Sequence, residues 1–143
     1  MTERRNRTAL EIQTDIYKIV CGSRLRKEIR GGVYHYGTRP RGDKEAEDIV
    51  VRFTAGLAGQ VSRGVVTILI FVPNLKGREG GMMNFARVSE LERIASEWVG
   101  STLREAPMGY RFELNETIQT MRDEETPCHF ISVPLRYEIL EIV

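Results

Sequence analysis

The chain has 143 residues, 41% hydrophobic and 29% charged, with a net charge of +1 and two cysteines. That is ordinary globular usage and one domain's length, predicted as a single α+β domain over 1–143, so disorder, a collagen repeat and a disulfide scaffold are excluded. Near-neutrality also argues against a dedicated nucleic-acid binder, which carries a basic face.

Residues 1–8 read as a flexible basic arm. Leu10, Ile12, Ile16, Ile19 and Val20 then step at helical spacing and predict a helix over 9–21, with a further turn or two to residue 30. Gly31-Gly32 stops it. Val33 to Tyr36 reads as a short strand. Residues 37–48 are polar, with proline and two glycines, and read as a loop.

Ile49 to Ala55 alternates, with Ile49, Val51, Phe53 and Ala55 on one face. Gly56 to Gly59 reads as a turn. Gln60 to Val72 is a longer strand, apolar on both faces from Val65 onward. Such a run belongs in the middle of a sheet or at an interface. Pro73 ends it, because proline offers no N–H to a ladder.

Residues 74–83 form a glycine-rich, charged loop, expected to be mobile. Phe85, Val88, Leu91, Ile94, Ala95, Trp98, Val99 and Leu103 mark an amphipathic helix over 84–104. Tyr110 to Met121 alternates as one strand, Arg122 to Pro127 turns, and Ile131, Val133, Leu135, Tyr137 and Ile139 share the inner face of a last strand. The order is α-β-β-β-α-β-β. Short connections imply hairpins, so the expected fold is α+β, a mainly antiparallel sheet packed by two helices.

Charge is uneven along the chain. Residues 1–44 hold eleven basic and five acidic side chains; the rest hold ten and fifteen. This layout fits pairing within one molecule, and it also fits head-to-tail association of copies.

The residues announce no reaction chemistry. His35 and His129 are the two histidines, and with Cys21 and Cys128 they lack metal-ligand spacing. Cys21 and Cys128 read as buried thiols of a reducing compartment. Cys128 and His129 are strand neighbours and point to opposite faces, which argues against a dyad. Gly77, Gly80 and Gly81 lack the spacing of a phosphate loop. Glu47-Asp48 and Glu124-Glu125 read as solvated charges. Tyr34, Tyr36 and Phe53 read as core rather than as stacking platforms for single-stranded nucleic acid. No catalytic, metal or cofactor-binding residue is assigned. No stretch is apolar for long enough to span a bilayer, and no secretory leader is read at the start.

Several segments together carry a resemblance. They are Ile16-Tyr17 and Leu25, Ile29-Arg-Gly-Gly-Val-Tyr34, Arg39-Pro40, Glu47-Asp-Ile-Val-Val51, Gln60 to Pro73, Leu91 to Leu103, and Phe130 to Tyr137. Over residues 10–140 their order resembles that of phage tail-terminator and head–tail completion proteins. The resemblance implies a structural, non-enzymatic role without cofactors. Copies would form a ring, often of six, that caps the tail tube or joins it to the head. Partners would be the chain itself and other tail or connector proteins, in the host cytoplasm and then in the virion, with no membrane. It would make the loops 37–48 and 74–83 contact elements, with Arg39, Arg41, Lys76 and Arg78 facing a neighbour's acids or DNA. The alternative reading is a small-molecule-binding or nucleic-acid-binding α+β domain.

Overall fold

The computed structural model describes residues 7–40, 46–57, 62–75, 81–101, 103–105 and 107–139. The elements are α1 (Ala9–Cys21), α2 (Arg24–Glu28), β1 (Val33–His35), β2 (Asp48–Leu57), β3 (Arg63–Pro73) and α3 (Phe85–Ser101). Two 3₁₀ turns, Leu103–Glu105 and Pro107–Gly109, lead into β4 (Tyr110–Leu114), β5 (Gln119–Arg122) and β6 (Cys128–Ile139).

Helix α1 starts where Thr8 caps it. The Thr8 hydroxyl accepts from the Glu11 N–H at 3.2 Å, and the Glu11 carboxylate accepts from the Thr8 N–H at 3.1 Å. This reciprocal box satisfies two backbone donors that a helix start leaves open. Two residues expected in the flexible arm are held in place, Thr8 as the cap and Arg7 by reaching Asp15 at 3.6 Å; the rest of that arm, 1–6, lies outside the described residues. Helix α3 starts after Asn84, whose side chain accepts from the Arg87 N–H at 3.3 Å.

Among the described residues, six strands form one sheet in the order β1-β2-β3-β6-β4, with β5 also paired to β6. The fold is α+β with a mostly antiparallel sheet, as the hydrophobic periods imply. Helices α1 and α3 cover one face. Ile12, Ile16 and Val20 of α1 and Leu91, Ile94 and Trp98 of α3 join Ile49, Val51, Ile68, Ile70, Ile131, Val133 and Leu135 in one core. Each such side chain contributes about 1.5–3 kcal/mol by leaving water.

One pairing is added to the expected plan and two expectations are corrected. First, β1 and β2 pair in parallel, Val33 beside Ile49 and His35 beside Val51. A parallel neighbour requires the chain to travel back to its starting level, and residues 36–47 make that return.

Second, the strand expected over 110–121 is broken. β4 pairs with Ile139 to Leu135 and β5 with Ser132 to His129, leaving residues 115–118 opposite only two residues of β6. The break falls at Pro134. Its carbonyl accepts from the Asn115 N–H at 2.8 Å, but it has no N–H to return.

Third, the register shifts between Phe53 and Ala55, so Ala55 lies beside Val65 and leaves the inner face. Gly56 and Leu57 are strand residues rather than turn. Here Gly64 is needed for space, since a β-carbon on it would sit 2.1 Å from the Ala55 carbonyl oxygen.

Candidate functional site: the outer face of the sheet

Alternation puts every second strand residue on the face turned away from the helices. The registers align these residues into rows. One row is Asp48, Phe71, Phe130 and Met121; the next is Tyr34, Val50, Leu69, Ser132 and Gln119. Beyond Arg52, Thr67 and Pro134 lies the ion pair of Arg136 with Glu113. One end of the face is therefore apolar and aromatic, and the other is charged. The Phe71 and Phe130 rings lie 5.6 Å apart, and Met121 is 40% exposed.

A groove of about 440 Å³ runs over the apolar end. Val50, Leu69 and Phe71 form its floor. Tyr36, Gly37, Arg39 and Pro40 line one side, and Asp123, Glu125 and Thr126 line the other. The second wall is built by a turn in which Asp123 accepts from the Thr126 hydroxyl and the Glu125 N–H.

Arg39 crosses the groove from the first wall. Its Nε donates to Asp48 at 2.9 Å, and its guanidinium lies 4.1 Å from the Phe71 ring centre. A cation held over a ring away from water gains about 2 kcal/mol. Its Nη2 is buried and has no hydrogen-bond partner among the described residues. Beside it, Arg52 lies over Tyr36 at 4.7 Å. Tyr36 is 57% exposed, so it is a surface aromatic and not the core residue the sequence suggests.

Glu47 and Asp48 are also corrected: both are buried, not solvated. Asp48 accepts from Arg39 on one oxygen and from the Gly32 N–H at 3.0 Å on the other. Glu47 takes a forked pair from Arg87, at 2.7 and 2.8 Å. Arg87 also donates to Glu90 at 2.7 Å and to the Glu28 carbonyl at 2.5 Å. The Glu47 hydrogen bond, supported by the charges of Glu47, Glu90 and Glu28, raises the Arg87 pKa above its ordinary value against the opposing effect of burial. Through Arg87, Glu47 joins the end of α2, the start of β2 and the first turn of α3, while Asp48 ties the start of β2 to Gly32 and Arg39. Glu124 and Glu125 are exposed, as expected.

The histidines serve packing. The Gln13 side-chain amide donates to His35 Nδ1 at 2.9 Å, and the His35 ring stacks on Tyr17 at 4.4 Å. His129 bonds the Asn74 side-chain oxygen at 2.6 Å. Cys128 is buried and lies beside Pro73, on the opposite sheet face from His129. Cys21 is exposed at the end of α1, contrary to expectation, because residue 21 falls outside the apolar stripe. Among the described residues no group of three His, Cys, Asp or Glu is placed to hold a metal ion.

Of the four cations named from sequence, Arg39 is the one within the described residues; Arg41, Lys76 and Arg78 lie outside them. The bridge from Leu75 to Met82 closes the base of the loop that carries Lys76 and Arg78. Sequence reasoning missed Phe71, Phe130, Met121 and Gln13. The signal for Phe71 was present in the run that is apolar on both faces after Val65. Gln13 reads as a polar residue on a helix, yet it is buried and its side chain accepts from the Phe53 N–H at 2.9 Å.

No family model matches the chain, and no curated protein matches it. No helix among the described residues is long and apolar enough to cross a membrane.

Proposed function

We propose that the chain is a structural virion-assembly protein of a phage or prophage, whose copies form a ring that terminates the tail tube or joins head to tail. The observation that carries this reading is the outer sheet face. A monomer would leave Met121 exposed and Leu69, Phe71 and Phe130 half-buried on this face, and contiguous apolar surface of this kind marks contact sites. The order of elements along residues 10–140 supports it through the resemblance to tail-completion proteins. In this reading the chain does no chemistry. It acts by shape and contact, with itself and with tail or connector proteins, in the host cytoplasm and then in the virion.

Absolute mass in solution, with and without isolated tail tubes, tests it. A salt-sensitive oligomer near six copies, or a ring bound at the tube end, is the expected result. A chain that neither self-associates nor binds tubes or connectors would sink the proposal.

A further inference from the structure

We infer that the groove end of the outer sheet face is where one copy of this chain meets another, with the Arg39 wall of one copy against the Asp123–Glu125 wall of the next. This rests on the assembly reading and names the surface it uses.

The first argument is a contrast within one sheet. An antiparallel sheet covered on one side normally turns polar side chains to water on the other. The Arg136–Glu113 end obeys this rule. The Phe71–Phe130–Met121 end does not, although both ends belong to the same strands. Beside Asp48, Ser132 and Gln119, that end carries Tyr36, Phe71, Phe130, Met121 and Arg39, residue types enriched where proteins touch.

The second argument is charge. Arg39 and Arg52 stand on the first side of the face, while Asp123 and Glu125 line the second wall. The two sides are complementary to each other, so a second copy supplies what each one needs. A net charge of +1 puts little long-range repulsion between copies. Nucleic acid fits worse, because the acidic wall would repel phosphate.

The test compares the intact chain with Phe130→Glu and Glu125→Lys by light scattering over a concentration series at low and high salt. The emission of Trp98, the single tryptophan, checks that each variant is folded. Glu125 is exposed, so its replacement tests the contact without disturbing the core. The intact chain should associate, and more weakly as salt rises. Phe130→Glu should raise the dissociation constant by about 30-fold or more, and Glu125→Lys by about fivefold. Association unchanged in both folded variants would overturn this surface and leave the assembly reading standing. A chain monomeric at every concentration and salt would also overturn it; the assembly reading would then stand or fall on binding to tail tubes. Salt-sensitive binding of single-stranded DNA that both variants leave unchanged, in a chain that stays monomeric, would overturn it in favour of a different partner.

Discussion

Arg87 touches three parts of the chain at once: the Glu47 carboxylate, the Glu28 carbonyl and Glu90. Removing it leaves Glu47 buried and unpaired, which is costlier than the pair is worth. Arg87→Ala should therefore lower stability by about 3 kcal/mol, read from urea unfolding. Glu90 is an exposed partner and should matter far less. Neither Glu47 nor Arg87 could be paired by inspection of the sequence, since forty positions separate them.

Tyr110 gives a pH test. It is buried, and its hydroxyl donates to Asp15 at 2.6 Å. Burial, then Asp15, pushes its pKa well above the ordinary 10.0. Burial raises Tyr137 as well. The folded state thus holds these protons more tightly than the unfolded chain. Their contribution is complete below about pH 10 and is lost as pH climbs through the folded values. Unfolding free energy should fall as pH rises above about 10, and Tyr110→Phe should flatten that fall.

Elements were read best where their signal is local. Helix α1 was expected over 9–21 and spans Ala9–Cys21. Its start is set by Thr8 and Glu11, at capping-box spacing. Thr8→Ala should cost about 1 kcal/mol, seen as a lower midpoint in thermal unfolding with the folded spectrum unchanged. Helix α3 was expected over 84–104 and ends at Ser101, with Leu103 carried on a following 3₁₀ turn. The strands were harder. Alternation from Tyr110 to Met121 reads as unbroken, because a break caused by Pro134 on a neighbouring strand leaves no mark on the strand it breaks.

At the scale of the molecule, a single core runs from Ile12 of α1 to Ile139 of β6. Trp98 lies fully buried in it. Trp98 emission should be blue-shifted and should change in the same urea transition as the helical circular dichroism. Two separate transitions would refute one cooperative core. The unequal charge of the two chain segments is partly spent inside the molecule, as in the pair of Arg24 with Glu97 at 3.1 Å. What it leaves at the surface includes the opposed walls of the outer groove.

Residue periodicity was enough to establish the helices, most of the inner strand faces and the α+β class, because side-chain direction follows from position along a helix or strand. It also flagged the strand after Val65 as apolar on both sides. It could not say that Phe71, Phe130 and Met121 share one row, that β1 runs parallel to β2, or that Glu47 and Asp48 are buried. Those facts depend on pairing between segments far apart in the chain. Strand register sets which residues become neighbours, and buried charges are stable only once distant partners have reached them.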